Sequence, residues 1–130
     1  MMRFDIRVYF EDTDFTGRVY HGAFVRFLER GRTEALRAAR LDHQMLASAQ
    51  PPLYFTIRKL ALSFHGPALI DDVLTVVSTP SEGRATILFQ QEILKGDDTL
   101  VKADVELCLI DGRGRPQRPP ASIREALRPG

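Results

Sequence analysis

A run of carboxylates stands immediately before the most helix-like stretch of this sequence. The run is Glu11-Asp12-Thr13-Asp14, followed by Phe15-Thr16-Gly17, and the helical pattern begins near Val19 to Gly22. A carboxylate can act as a general base or as a nucleophile. The unpaired N–H groups of a helix N-terminus stabilise negative charge that develops on an oxygen atom. These residue types, in this order, are suited to attack on a carbonyl group.

The helix that follows is indicated by a stripe of apolar or small residues with a period of about 3.6 residues. Counted from Phe24, the stripe consists of Phe27, Leu28, Gly31, Ala35 and Ala38. Charged residues fill the opposite side, so we expect one face to be buried and the other solvated. Gly31 lies inside the buried stripe, where Gly costs ~1 kcal/mol relative to Ala. A close contact of its backbone is the expected compensation.

Composition limits the classes of protein that need to be considered. A chain of 130 residues is the size of one domain, residues 1–130, and a net charge of +1 provides no basic field for nucleic acid. The N-terminus has no signal-peptide core, and no segment approaches the ~20 apolar residues of a membrane span. Cys108 is the only cysteine, which excludes an intrachain disulfide and a cysteine-based metal site. We therefore expect a cytoplasmic protein.

Two stretches that flank the helix have the two-residue period of β-strands. Arg3 to Phe10 alternates strictly, with Phe4, Ile6, Val8 and Phe10 predicted on the buried face. Leu53 to His65 also alternates, but its apolar positions change phase at Arg58-Lys59. An extra residue in one strand of a pair produces such a change, so a β-bulge is expected there.

The second half of the sequence predicts an antiparallel meander. Strands are expected at Val73 to Thr79, Ala85 to Leu94 and Leu100 to Ile110, with a turn at Pro80-Ser81-Glu82-Gly83. A short terminal helix is expected from Ser122 to Leu127, with Ser122 as its cap. The predicted order is β-α-β-β-β-β, an α+β architecture in which a five-stranded antiparallel sheet wraps around one long helix.

The run from Tyr9 to His21 resembles the signature of the hot-dog-fold acyl-CoA thioesterases, in particular the 4-hydroxybenzoyl-CoA thioesterase group and its Tol-Pal-associated branch. The resemblance continues through Phe27 to Glu34 and Pro67 to Asp72. It implies a hot-dog fold and hydrolysis of an acyl-CoA thioester without metal or cofactor. It also implies active sites formed between subunits, and therefore a homodimer or homotetramer.

The resemblance assigns roles to individual residues. The catalytic carboxylate falls on Asp14, and the backbone N–H that polarises the thioester carbonyl falls at or next to His21, whose side chain is characteristic of the branch. Substrate contacts are expected at Gly17, Val19, Tyr20, Gly22, Phe24, Gly31 and Thr86. Phe24 departs from the branch, which commonly has Tyr at this position, so acyl preference could differ. By charge alone, the CoA phosphates are assigned to Arg58, Lys59 and Arg84.

Several alternatives remain open at the level of sequence. Asp14 could instead be a turn or helix-cap residue, whereas Asp12 is interpreted as a loop residue. The sequence does not choose between Asp14 as general base and Asp14 as nucleophile, and the acyl group is undetermined. Two other functions are a dehydratase or hydratase of acyl thioesters, which would use His21 with Asp14, and a non-catalytic module that binds acyl thioesters or docks a partner.

Overall fold

The protein consists of one long helix, two short helices and a sheet of long strands. A computed structural model describes residues 1–128. The elements are β1 (Met2–Arg7), α1 (His21–Ala38), α2 (His43–Ala47), β2 (Tyr54–Phe64), β3 (Val73–Glu82), β4 (Ile87–Lys95), β5 (Asp98–Ile110), β6 (Pro116–Gln117) and α3 (Ala121–Ala126). A 3-10 helix, Phe10–Asp12, follows β1. Within residues 1–128, none of the helices is long and apolar enough to cross a membrane.

The strands form one antiparallel sheet in the spatial order β1-β3-β4-β5-β2. These five strands are the ones predicted from the sequence, and they follow the predicted β-α-β-β-β-β order. The sheet has a sixth strand that the sequence analysis missed, the two-residue β6, which pairs with the end of β5. The α+β hot-dog architecture is therefore confirmed, with one additional short strand.

The β-bulge predicted in β2 is present. Ile57 pairs with Leu107 and Lys59 pairs with Glu106, so Arg58 is the extra residue between two consecutive partners on β5. The inward-facing row of β5 is also as predicted, because Val101, Ala103, Val105, Leu107 and Leu109 are all buried. Two-residue periodicity was a reliable guide where a strand has one buried face.

The helix α1 covers the inner face of the sheet and packs on β1, β3 and β4. Its buried face includes Ala23 and Leu36 together with all of the predicted stripe except Ala38, which is exposed in the last turn. The buried face of α1 also includes Arg32, although a charged side chain is expected on the solvated face. Side chains such as Phe27 and Leu28 are fully enclosed, and each contributes about 1.5–3 kcal/mol of transfer free energy.

Gly31 makes the close contact that its position in the buried stripe predicted. A Cβ atom built at Gly31 would overlap Cγ1 of Val76 on β3 and would lie 3.1 Å from Oγ of Ser78. The missing side chain therefore brings the backbone of α1 close to the middle of the sheet. Of the two partners expected for Gly31, the sheet or an acyl chain, it is the sheet that occupies this side.

The first predicted strand is wrong at its C-terminal end. β1 stops at Arg7, and Phe10 lies in the 3-10 helix with 81% of its surface exposed rather than in the core. Ile6 and Val8 keep their predicted burial. The pairing continues for one residue beyond β1, since Val8 N–H donates to the Asp72 carbonyl in the same register, and the chain then turns between Tyr9 and Asp12.

Two further boundaries differ from the sequence prediction. The expected turn at Pro80-Ser81-Glu82-Gly83 is largely strand, because β3 runs to Glu82. β1 pairs with β3 only as far as Ser78, so Pro80 lies beyond the β1 ladder, where a strand tolerates a residue without an N–H. The terminal helix α3 begins at Ala121 with Pro120 as N-cap and no side-chain cap bond, so Ser122 is not the cap.

We predict that Gly31→Leu destabilises the fold by about 1–3 kcal/mol, since the larger side chain must displace Val76 or move α1 off the sheet. Urea denaturation would measure the change. Gly112→Leu is the control, because nothing lies within 4 Å of a Cβ built there, and its effect should stay within about 0.5 kcal/mol. Equal stability of the two variants would show that the helix is not seated through Gly31.

Candidate active site

The residues from Tyr9 to Tyr20 form a loop that joins β1 to α1 and is pinned by backbone hydrogen bonds to a second segment, Ala68 to Asp72. Val19 N–H donates to the Ala68 carbonyl at 2.8 Å, and Val8 N–H donates to the Asp72 carbonyl at 2.8 Å. Ala68 is completely buried. The loop is therefore held at both ends, and the side chains on it have defined positions.

Asp12 organises this loop from within. Its side chain is buried, its Oδ2 accepts the N–H of Tyr9 at 2.8 Å, and its Oδ1 lies 3.6 Å from Nη2 of Arg26 on α1. Its backbone carbonyl accepts the N–H of Tyr20 at 2.9 Å. Asp12 is thus committed to the loop and to the first turns of the helix, which is the role that the sequence analysis gave it.

Asp14 is in the opposite situation, because its carboxylate is fully exposed. Oδ1 accepts two hydrogen bonds from Thr16, one from the backbone N–H at 2.8 Å and one from the hydroxyl at 2.6 Å. Oδ2 has no hydrogen-bond partner among residues 1–128. One oxygen is therefore oriented by the loop, and the other is available to a ligand or to water.

The hydrogen bonds from Thr16 lower the pKa of the Asp14 carboxyl below its ordinary value of 3.8. The Thr16 hydroxyl has the largest effect on this pKa and the Thr16 N–H follows, while electrostatic interactions with His21 and Arg18 contribute less. Slight desolvation acts in the opposite direction. A carboxyl group with these partners is ionised at neutral pH, which is the form that a base or a nucleophile requires.

Gly17 closes the turn that presents Asp14. Its φ of +80° lies in the left-handed region, and its N–H donates to the Asp14 carbonyl at 2.9 Å. A side chain at this φ is strained, which explains the glycine. Apart from Gly17 and its two chain neighbours, no atom of residues 1–128 lies within 4 Å of a Cβ built at Gly17. The space beside the turn is open.

The N-terminus of α1 follows directly on this loop. The N-cap, Tyr20, makes no side-chain cap bond, and within residues 1–128 the N–H groups of His21 and Gly22 have no acceptor. The exposed ring of His21 lies against the ring of Tyr20, with centroids 4.3 Å apart. A Cβ at Gly22 would come within 2.5 Å of Cε2 of Tyr20, so glycine leaves room for that ring beside the first turn of α1.

The apolar residues predicted near the substrate are divided between core and surface. Val19 and Phe24 are buried. The centroid of the Phe24 ring lies 6.2 Å from that of Phe27 and 6.0 Å from that of Phe64. Phe64 is itself 52% exposed. The Phe24 side chain thus provides an apolar surface at the first turn of α1, and the partly exposed Phe64 extends that surface toward the solvent.

The remaining predicted site residues are not brought to Asp14 within one chain. Thr86 is buried beside Gly83 in the β3–β4 connection, and Arg84 lies in the same connection. The ten residues of β3 separate this end of the sheet from Asp72, a distance of about 30 Å. Arg58 and Lys59 are on β2, at the edge of the sheet opposite β1. Their assignment to substrate and CoA phosphates stays a prediction.

The sequence analysis missed an exposed apolar surface at the Asp14 end of the sheet. Phe15 is completely exposed at the tip of the loop, and Leu69, Ile70 and Val73 are each more than 40% exposed close to where the loop is pinned. The alternation of Arg3 to Phe10 predicts that Phe10 lies on the buried face, whereas its side chain is exposed. The apolar residues close to Asp14 in the sequence were the feature from which this exposed surface could have been predicted.

One long helix packed on the face of a single antiparallel sheet is the arrangement of the hot-dog class of α+β proteins. A sequence model described as the thioesterase superfamily matches residues 16–102 of this chain. The chain belongs to the thioesterase superfamily and is by class a thioester hydrolase. The resemblance identified from the sequence is therefore confirmed at the level of the family.

Individual relatives agree with this assignment. The chain is 39% identical to the acyl-CoA thioesterase YbgC of Haemophilus influenzae, over 95% of this chain and 92% of that protein. It is 36% identical to the acyl-CoA thioester hydrolase YbgC of Escherichia coli over the same shares. Among solved structures, the probable thioesterase from Bartonella henselae superposes with a TM-score of 0.89 at 41% identity, covering 92% of this chain and 98% of that one.

We predict that Thr16→Val raises the pKa of Asp14 toward its ordinary value, because the substitution removes the hydroxyl that has the largest effect on that pKa and keeps the backbone N–H. An NMR titration of the Asp14 carboxyl carbon would measure it. Thr13→Val is the matched control, since its hydroxyl donates to the Phe10 carbonyl at 2.7 Å and to no carboxylate. An Asp14 pKa that is the same in the parent and both variants would contradict the assigned cause.

Proposed function

We propose that this protein hydrolyses acyl-CoA thioesters to the free acid and CoA, with Asp14 as general base or nucleophile and the start of α1 as the oxyanion site. The observation that supports it most directly is an exposed, ionised carboxylate in the loop that leads into α1, whose first two N–H groups have no acceptor within residues 1–128. The relatives named acyl-CoA thioesterases support the choice of substrate class. The cytoplasmic location expected from the sequence stays a prediction.

The chemistry of a thioester matches these groups. Sulfur donates electrons poorly into the carbonyl, so the carbon is electrophilic and the thiolate leaves without a strong acid. The reaction then needs an activated attacker and stabilisation of the oxyanion. Asp14 supplies the first, by taking a proton from water or by attacking to form an anhydride that water cleaves. The N–H groups of His21 and Gly22 supply the second, and one such donor is worth ~3–4 kcal/mol of barrier.

The lowered pKa of Asp14 is compatible with both routes, since each requires the ionised carboxylate. The uncommitted Oδ2 would receive the proton of water or form the bond to the acyl carbon, while Oδ1 stays fixed by Thr16. A weakly basic carboxylate has little driving force for proton transfer. Orientation and oxyanion stabilisation are therefore expected to carry most of the rate acceleration.

We also propose that the active protein is a homodimer or homotetramer, because the site of a single chain is open. Electrostatic stabilisation of an oxyanion is strong only where water is excluded, and Asp14 is fully exposed. The eleven-residue β2 is an edge strand that pairs only with β5 and exposes Tyr54 and Ile57. Such an edge is suited to pairing with a second copy.

The assembly can be tested by placing a charge on this edge. Sedimentation velocity of the parent is expected to give a dimer or larger species at assay concentration. Ile57→Lys should shift the protein toward monomer and lower its activity, because a Lys on an edge strand opposes pairing. Val73→Lys is the control, because Val73 has the same 45% exposure as Ile57 but lies on β3 inside the sheet. A fully active monomeric parent would refute the proposal.

The carboxylate assignment is tested by Asp14→Asn, which keeps the size of the side chain and removes its charge. Turnover should fall by at least ~10²-fold, the scale of general-base catalysis, with folding and acyl-CoA binding retained. Release of CoA thiol across a panel of short, long and aromatic acyl-CoA substrates would measure it. The same panel would identify the preferred acyl group, and the absorbance of enoyl-CoA would detect hydratase activity.

Asp12→Asn is the matched control for this variant. It makes the same change of charge two residues away, but its carboxylate holds Tyr9 and Arg26 and not a ligand. We expect its main effect to be a lower melting temperature, with turnover per folded molecule within a few-fold of the parent. If Asp12→Asn were the inactive variant, the carboxylate would be misassigned. If neither variant lost activity, the carboxylate mechanism would be wrong.

A further inference from the structure

A small cavity lies between α1, α2 and the first residues of β2, away from the Asp14 loop. Its volume is about 140 Å³. Four of its walls are apolar, Leu36, Phe55, Ile57 and Leu107. Arg32 also lines the cavity, and its side chain is the feature that the fold and the candidate active site leave unexplained.

Arg32 is only 4% exposed, although it carries a charge. Within residues 1–128 it forms no ion pair with a carboxylate. Burial lowers the pKa of its guanidinium from the ordinary value, and the nearby charge of Glu29 raises it. An arginine nevertheless remains protonated in proteins. A buried charge without a counter-ion is costly, so it is retained only where something compensates for it.

One hydrogen bond fixes the guanidinium in place. The side-chain amide of Gln91 donates to the Leu28 carbonyl at 2.9 Å and to Oγ of Ser78 at 2.8 Å. This leaves its Oε1 as the acceptor for Nη1 of Arg32, at 3.1 Å. The other guanidinium nitrogens have no acceptor among residues 1–128, yet no fully enclosed polar atom there lacks a partner. These nitrogens therefore keep some accessible surface, and Arg32 is one of the residues that line the cavity.

The acidic residue that lines the cavity, Glu29, does not neutralise Arg32 directly. Oε1 of Glu29 accepts the hydroxyl of Thr33 at 2.9 Å, and that hydroxyl is 3.3 Å from Nε2 of His43. These three side chains also line the cavity. The cavity thus combines an oriented guanidinium, most of whose N–H groups make no hydrogen bond within residues 1–128, with apolar walls and a polar border.

We propose that this cavity, the Arg32 cavity, binds the carboxylate of a small organic acid, with the alkyl part of the acid against Leu36, Phe55 and Leu107. A guanidinium presents its N–H groups as a planar fork that matches the two oxygens of a carboxylate. A neutral amide of the same shape lacks the charge that the buried guanidinium requires. The carboxylate can belong to a free short-chain acid or to the far end of a dicarboxylic acyl group.

The size of the cavity limits what enters it. Its volume of about 140 Å³ corresponds to roughly four or five water molecules at ~30 Å³ each. A carboxylate with a few methylene groups is of this size. Each methylene that reaches the apolar walls should raise affinity roughly fourfold until the cavity is full. Affinity should therefore rise from acetate to butyrate.

The Arg32 cavity is distinct from the thioester-cleaving groups of the same chain. Arg32 is eleven residues after His21 on α1, about 16 Å along the helix axis. The binding of a free acid rests on the cavity alone. Only the second source, a dicarboxylic acyl group, rests on the proposed thioesterase function.

The first experiment measures the binding of butyrate and of its neutral analogue butyramide to the assembled protein by isothermal titration calorimetry. We expect butyrate to bind at least tenfold more tightly than butyramide, and acetate to bind more weakly than butyrate. Arg32→Met should abolish the preference for butyrate. Arg30→Met is the matched control, because Arg30 is exposed on the same helix and should leave the preference intact.

The second experiment compares hexadecanedioyl-CoA with palmitoyl-CoA, whose acyl groups have the same length. A lower KM for the dicarboxylic substrate that is lost in Arg32→Met would identify the acyl group as the source of the carboxylate. If Arg32→Met does not fold, Arg32→Lys replaces it, and a weakened preference is expected because the ammonium lacks the planar fork.

The two arms separate this proposal from the thioesterase proposal. Butyrate binding without hydrolysis of any acyl-CoA would overturn the function and support the Arg32 cavity. If the parent showed neither a preference for butyrate over butyramide nor one for the dicarboxylic substrate, the cavity proposal would be refuted. That result, together with weaker self-association of Arg32→Met, would mean that an acidic side chain of a second copy occupies the site.

Discussion

The contact between the backbone of α1 and Val76 is the constraint on which the rest of the structure depends. Gly31 allows the helix to lie close to the sheet at its middle, and this fixes where the N-terminus of the helix ends up. Within residues 1–128, the N–H groups of His21 and Gly22 at that N-terminus have no acceptor, and they can serve as the proposed oxyanion site only if they lie beside the Asp14 loop. The loop is positioned separately, by its pairing with Ala68 to Asp72. Packing and backbone pairing together therefore set the geometry of the candidate site.

The parts of the fold that could be predicted from the sequence are those in which one face of an element is buried. Period 3.6 located α1, and period 2 located β2 with its bulge, because a wrong register would move a whole apolar row into water. The end of β1 could not be predicted, since Phe10 continues the alternation although the chain has already left the ladder. The end of β3 could not be predicted either, because Pro80 was assigned to a turn. Its missing N–H prevents strand pairing only where a neighbouring strand requires that donor.

The candidate site was predicted in part, and the limits have a physical origin. Residues close in sequence, Asp14, Gly17, His21 and Gly22, are brought together because one short loop and one helix turn contain them all. Burial then separates Asp12 from Asp14, a distinction that residue type cannot make. Arg32 has helical spacing from Phe24 and Leu28, but its charge favours an exposed position. Its hydrogen-bond acceptor, Gln91, is distant in the sequence and oriented by two further hydrogen bonds, so it could not be predicted.

The Asp14–Thr16 pair has a consequence for how such a protein can diversify. The acidity of the carboxyl group is controlled mainly by a residue two positions away, within a single turn, and hardly at all by the sheet or the core. If Asp14 is the reactive carboxylate, as we propose, substitutions outside this turn leave it in the same electrostatic state. Natural selection can then alter the rest of the chain while the reactivity is inherited unchanged.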